Sequence, residues 1–128
     1  PRRKWEKLAI NAGINATTAL ARVPNGALAE GPSRTVARRA ARETARVARK
    51  KGVDLDDRTA VGALEAVIEA TADNESSMYR DVERGRRTEA GAINGYVAEH
   101  DAKTPINETL TALLETWERE NVQRNEPI

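Results

Sequence analysis

Lys4-Trp5-Glu6-Lys7-Leu8-Ala9-Ile10-Asn11-Ala12-Gly13-Ile14-Asn15 is the stretch whose reading decides the fold. Read as a helix, it places Lys7, Asn11 and Asn15 at i, i+4 and i+8, so an ammonium and two carboxamides form a polar ridge. Leu8, Ala12 and Ala16 lie about one residue further round, with Ile10 and Ile14 beyond, and can pack while the ridge stays free. A ridge of one proton donor and two amides, each able to donate and accept, suits an oxygen-rich small molecule. The plainer alternative is a solvated face carrying asparagine in poor helix positions.

The rest of the chain narrows the class. With 128 residues it fits one domain. It has no Cys, which excludes disulfides, zinc thiolates and thiol nucleophiles. Twenty-one basic and 20 acidic residues leave a net charge of +1, which argues against a dedicated nucleic-acid or membrane-surface protein. No apolar run approaches the roughly 20 residues of a membrane span and no signal peptide is evident, so a soluble cytoplasmic protein is the default expectation. With Phe absent and Trp5, Tyr79, Tyr96 and Trp117 the sole aromatics, the core must be built mostly from Ala, Val, Leu and Ile. Such a core is thin and suggests help from a partner surface. The first residue is Pro1 rather than Met, so a processed chain or a piece of a longer one is expected.

Outward from the opening stretch, every segment reads as helix or loop. Helix one is expected from Arg3 to Ala21, followed by a loop from Arg22 to Pro32 marked by Pro24-Asn25-Gly26 and Gly31-Pro32. Ser33 is the candidate N-cap of helix two, which ends where Gly52 follows Arg49-Lys50-Lys51. Asp56 or Asp57 caps helix three, with Val61, Leu64, Val67 and Ile68 at helical spacing up to about Thr71. A polar loop from Ala72 to Ser76 precedes a short helix from Ser77 to Arg84. A turn, Gly85 to Thr88, then leads into helix five from Glu89 to about Asp101. Thr104-Pro105 starts helix six, with Ile106, Leu110, Leu113, Leu114 and Trp117 on its apolar face and a loose tail from Asn121. No strand, internal repeat or low-complexity tract is evident. The class is all-α.

Three features invite other readings. On helix two, Arg34, Arg38, Arg42, Arg46 and Arg49 or Lys50 make a basic stripe that could track phosphates. It has no interleaved aromatic for base stacking, and Glu43 sits within it opposite Arg39, so a solvated face or an interdomain charge patch is the better reading. His100, the only His, has no acidic or His partner at ligand spacing and reads as a surface residue. Gly91 and Gly95, as Gly-x-x-x-Gly in a water-soluble helix, mean close packing or backbone exposed to a pocket.

A second informative stretch joins Ser76-Ser77-Met78 and Asp81 to Thr88-Glu89 and Ile93-Asn94-Gly95. Together with Lys-Leu-Ala-x-Asn-x-x-x-Asn at Lys7 to Asn15, then Pro24-Asn25-Gly26 and Thr104-Pro105-x-Asn107, it resembles the C-terminal domain of ketopantoate reductases (2-dehydropantoate 2-reductases), in the same motif order from Trp5 to Trp117. One departure is Ala90-Gly91 after Glu89, where many members carry Ile-Asp. That weakens a role for a carboxylate at Gly91 and leaves Glu89 untouched.

The resemblance implies an all-α, multi-helix domain of the 6-phosphogluconate dehydrogenase C-terminal-like type. In the family it supplies the substrate-facing half of a cleft whose other half is an N-terminal Rossmann domain binding NADPH. The sequence contains no Gly-x-Gly, so the dinucleotide fingerprint is missing and this chain alone should lack the cofactor site. By resemblance, Lys7 is the catalytic lysine that donates a proton to the C2 oxygen, and Glu89 binds the substrate hydroxyl near it. Ser77 bonds the substrate carboxylate, while Asn11, Asn15 and Asn25 orient the hydroxyl groups and the lysine. Read without the resemblance, Ser77 is a helix cap and Glu89 an ordinary salt-bridge partner. If the family reading holds, Ser77 and Glu89 should face the Lys7 ridge across one concavity, with Lys7 and Glu89 at hydrogen-bond to one-water distance. The implied partners are 2-dehydropantoate or pantoate, the Rossmann domain of the same enzyme and a second copy as homodimer, with no metal, nucleic acid or membrane. A catalytically silent dimerisation or regulatory domain, or a reductase of another 2-ketoacid, stays open.

Overall fold

The computed structural model describes residues 1–100 and 103–122, and every described element is a helix or a turn. In chain order these are α1 (Arg2–Ala21), a short 3-10 helix (Asn25–Ala29), α2 (Pro32–Lys50), α3 (Asp57–Ala70), α4 (Ser77–Glu83), α5 (Asn94–Glu99) and α6 (Pro105–Asn121). The all-α class is therefore observed. The expected end of helix five at Asp101 and the tail beyond Val122 lie outside the described residues. No helix among the described residues is long and apolar enough to cross a membrane.

The first stretch is the hub. α1 packs against α2, α3, α4 and α6, and its Ala9, Ala12, Ala16 and Ala19 are fully buried. Across from it, Ala37, Ala40, Ala41, Ala45 and Ala48 of α2 are equally buried. Short side chains let the two helices approach closely, which replaces the bulk that missing aromatics would have supplied. One core cluster centres on Trp5, Leu28, Leu55, Leu64 and Ile68, and a second on Met78, Val82, Leu110 and Leu114. Leu8 packs against both.

Gly13 sets the closeness of α1. A Cβ there would stand 2.8 Å from the Ala37 carbonyl oxygen and 2.8 Å from Leu64 Cδ1. The first is backbone and cannot rotate away. Gly13→Ala therefore lowers stability by about 1–3 kcal/mol despite alanine's better helix propensity, read as a lower midpoint in urea at unchanged slope. An unchanged or higher midpoint would refute the close approach.

The helix starts follow local chemistry, with two departures from the sequence reading. Helix two begins at Pro32 with Gly31 rather than Ser33 as its N-cap, because Gly31 adopts φ 84° and Pro32 fills the first helical position where no N–H is needed. The short fourth helix is capped by Ser76, whose Oγ accepts from Tyr79 N–H at 3.0 Å and shares a 2.7 Å hydrogen bond with Thr18 Oγ1 of α1. At α3 the cap is Asp56, accepting from Thr59 N–H at 2.7 Å, while Asp57 pairs with Arg49 at 2.8 Å. The Thr59 backbone hydrogen bond holds the Asp56 carboxyl below its ordinary value of 3.8. Since the folded pKa is depressed, the cap's contribution is present above that value and is lost as pH falls through the folded pKa. Asp56→Ala should lower stability at neutral pH and flatten the acid limb of a stability–pH curve below it; parallel curves for both proteins would contradict the cap.

On α6, Leu110 and Leu114 are buried as read, but Leu113 is 51% exposed, because the bundle covers a narrower stripe than the five apolar residues suggest. Three arginines of the basic stripe on α2 are used within the chain. Arg34 and Arg38 reach Glu65 of α3 at 3.3 and 3.6 Å, and Arg49 donates to the Leu55 carbonyl at 3.0 Å as well as to Asp57. Glu43 departs from its expected place among those arginines: it is buried and points at the start of α6.

Candidate functional site

Lys7 is exposed on α1 and, with Asn11 one turn on, lines a cavity of about 250 Å³. Its remaining walls are Lys4, Trp5, Leu8, Ala92 and Tyr96. Trp5 is 7% exposed and its ring centroid lies 6.0 Å from that of Tyr96. Tyr96 in turn lies 4.3 Å from the His100 ring, and His100 Nδ1 is 2.7 Å from the Tyr96 carbonyl oxygen. Two of the three ridge residues thus open onto a pocket with an ammonium and a carboxamide on one wall and aromatic surface on another. Such a wall pairing can hold a small anion or carbonyl by its polar end and an alkyl group by the other.

Glu89 is exposed and lines a neighbouring groove of about 840 Å³, floored by Gly91, Ala92, Gly95 and Ala98 and walled by α6 through Glu108, Thr111 and Glu115. Ala92 belongs to both the groove and the Lys7 cavity. Lys7 and Glu89 are therefore on adjoining concavities, and neither takes part in an ion pair among the described residues.

The segment carrying Glu89 departs from its expected form. Helix five does not start at Glu89; α5 begins at Asn94, and residues 88–93 form turns in which the Glu89 carbonyl accepts from Ala92 and Ile93 N–H. The reason is tertiary. Thr88 gives both its N–H and its hydroxyl to Glu118 Oε2 of α6, at 2.6 and 2.7 Å, and its Oγ1 accepts from Ala90 N–H at 3.2 Å, a side-chain turn that competes with helix. Gly95 lies on the groove, as an exposed backbone position would, with Ala90 O 3.4 Å from where its Cβ would be.

The other candidates are placed differently. Asn15 is half-buried further along α1, and its carbonyl accepts from Thr18 Oγ1 at 3.2 Å. Asn25 is buried, its Nδ2 donating to Thr71 Oγ1 at 2.9 Å and its N–H to the Asn74 carbonyl at 2.9 Å, so it ties the 3-10 helix to the loop after α3. Ser77 is exposed at the first position of α4 and leaves the capping to Ser76. None of these three lines the Lys7 cavity. Among the described residues no group of three His, Asp or Glu stands at metal-binding spacing.

A buried polar chain escaped the sequence reading. Glu43 Oε2 accepts from Ile106 N–H at 3.0 Å, and Oε1 accepts from Asn107 N–H at 3.0 Å and Asn107 Nδ2 at 2.9 Å. Asn107 Nδ2 also donates to the Ala40 carbonyl at 3.2 Å, and its Oδ1 accepts from Asn94 Nδ2 at 2.9 Å. Asn94 Nδ2 donates once more, to the Ala12 carbonyl of α1 at 3.0 Å. The available signal was polar residues on apolar stripes: Asn107 precedes Leu110 and Leu114 at helical spacing, and Glu43 falls among the buried alanines of α2.

The described residues form an all-helical bundle with a lysine–asparagine face beside an open groove. Residues 2–118 match the family described as Ketopantoate reductase PanE/ApbA C terminal, and the chain belongs to it. It is similar to a 2-dehydropantoate 2-reductase of Halobacterium salinarum, 43% identical over 93% of this chain and 41% of that protein. It is also similar to one of Archaeoglobus fulgidus, 39% identical over 88% of this chain and 39% of that protein. Among solved structures, the ketopantoate reductase of Ralstonia eutropha JMP134 aligns with a TM-score of 0.83 at 31% identity, over 91% of this chain and 41% of that one. The chain spans about two-fifths of the length of the relatives it matches.

Proposed function

We propose that this chain is the helical, substrate-facing part of an NADPH-dependent 2-dehydropantoate 2-reductase, a cytoplasmic oxidoreductase reducing ketopantoate to pantoate on the way to pantothenate and coenzyme A. The observation that carries the reading is that Lys7 and Asn11 share one cavity, with the Glu89 groove adjoining it through Ala92. The ammonium of Lys7 is the proton donor to the C2 oxygen, and Asn11 holds the same oxygen or the lysine in line. Glu89 accepts the substrate hydroxyl from the neighbouring wall, and Ser77, which lies outside the Lys7 cavity, is assigned to the carboxylate by the family resemblance alone. Asn15 extends the ridge, while Asn25 acts by fixing the loop beside it.

In this reading the dinucleotide is held elsewhere: the pyrophosphate cradle of a Rossmann site is a strand, a glycine turn and a helix start, and no strand occurs among the described residues. Hydride would come to C2 from a nicotinamide held by a separate Rossmann domain. A second copy as partner is consistent with a similar ketopantoate reductase, from Staphylococcus aureus, described as dimeric.

The test is NADPH oxidation with 2-dehydropantoate, pyruvate and a branched 2-ketoacid, run on the complete enzyme and on the 128-residue chain alone. The complete enzyme should prefer 2-dehydropantoate and the chain alone should show no turnover. Turnover by the chain alone would overturn the division of labour, and a preference for another acid would move the substrate.

A further inference from the structure

Among the described residues no hydrogen bond or ion pair holds the Glu89 side chain; its place is set by the two ends of the segment that carries it. At one end Thr88 is clamped to Glu118 of α6 by two hydrogen bonds. At the other, Asn94 is fully buried and its single amide nitrogen joins α1, through the Ala12 carbonyl, to Asn107 of α6. Ala12 is next to Asn11, the residue that lines the Lys7 cavity. Between the clamps, buried Ala90 and Ile93 anchor the turn while Glu89 and Ala92 face outward.

The direction of this chain of bonds is fixed by its far end. An ionised carboxylate only accepts, so Glu43 obliges Asn107 to turn its NH₂ group inward. Asn107 Oδ1 must then accept, and Asn94 must present its NH₂ group to both Asn107 and the Ala12 carbonyl. No amide in the relay can flip without opposing two acceptors or two donors. The geometry points to Asn94, held by the Glu43–Asn107 relay and seconded by Thr88, as a positioning residue that sets Glu89 on the groove adjoining the Lys7–Asn11 cavity. This rests on the proposed role of Glu89 at the substrate.

A double-mutant cycle on the complete enzyme tests it. Asn94→Ala should lower kcat/KM for 2-dehydropantoate about tenfold with Glu89 present and less than about twofold in a Glu89→Gln background, since a misplaced group matters only while it acts. Thr88→Val, which keeps the N–H and is the milder change, should show the same loss of effect. Equal losses in both backgrounds would make the residues merely structural and overturn the inference while leaving the site reading intact. Glu89→Gln without any effect would instead remove the site reading, and this inference with it. Amide hydrogen exchange on the full chain supplies an independent check. In Asn94→Ala the Ala92, Ile93 and Gly95 amides should exchange at least about tenfold faster with α2 and α3 unchanged, and a uniform rise would count against local positioning.

Discussion

Lys7→Ala is expected to lower kcat for 2-dehydropantoate reduction in the complete enzyme by about 10²- to 10⁴-fold, the usual worth of a general acid. The loss should fall on kcat more than on KM, because the proton is needed as the C2 oxygen gains charge and not when the ketone binds. The fold should survive: Lys7 is exposed and takes part in no ion pair among the described residues, so removing it breaks no salt bridge of the bundle. An unchanged melting temperature beside a collapsed kcat would separate chemistry from stability. Lys7→Arg sharpens the point, since a guanidinium keeps the charge but does not give up its proton. If charge alone mattered, arginine would restore most of the rate; the proposed proton donation requires that it restore little. A Lys7→Ala enzyme with near-normal kcat would remove Lys7 from the mechanism.

How far the sequence could lead is visible in individual residues. α1 was legible because Ala9, Ala12 and Ala16 recur with helical spacing and the Lys7 ridge lies on another face. α3 was legible and its cap narrowed to Asp56 or Asp57 because capping is local chemistry, and the Thr59 N–H bond selects Asp56. The N-cap of α2 moved from Ser33 to Gly31, since both residue types suit that position and the φ of Gly31 with Pro32 after it selects between them. The start of α5 could not be found locally at all. Glu89-Ala90 has good helix formers, and what keeps residues 88–93 in turns is Thr88 bonding to Glu118, 30 residues away. The same holds for the site. Lys7 and Asn11 are one turn apart on a single helix, so their shared cavity follows from periodicity, whereas the adjacency of Ala92 depends on Asn94 reaching α1 over 82 residues.

The long-range relay also carries the largest expected effect on stability. The first turn of α6 has a complete account of its donors: Pro105 has none, Ile106 and Asn107 give theirs to Glu43, and Glu108 gives its N–H to the Thr104 carbonyl. A carboxylate here also meets the positive end of the helix dipole. Glu43→Ala strips three donors of their acceptor in a place that water barely reaches, since Glu43 is 7% exposed and Asn107 is fully buried. The expected loss is about 3–5 kcal/mol, the range for breaking a buried charged network, and it should appear as a lower denaturant midpoint with an unchanged slope. Glu43→Gln separates charge from hydrogen bonding. Its one oxygen can keep both bonds to Asn107, but its NH₂ group would then face the Ile106 N–H, so about one bond is lost and the cost should be near 1–2 kcal/mol. Should glutamine cost as much as alanine, charge rather than donor satisfaction would be holding α6. Should alanine cost under about 1 kcal/mol, water would be replacing the carboxylate and the relay would not fix the start of α6.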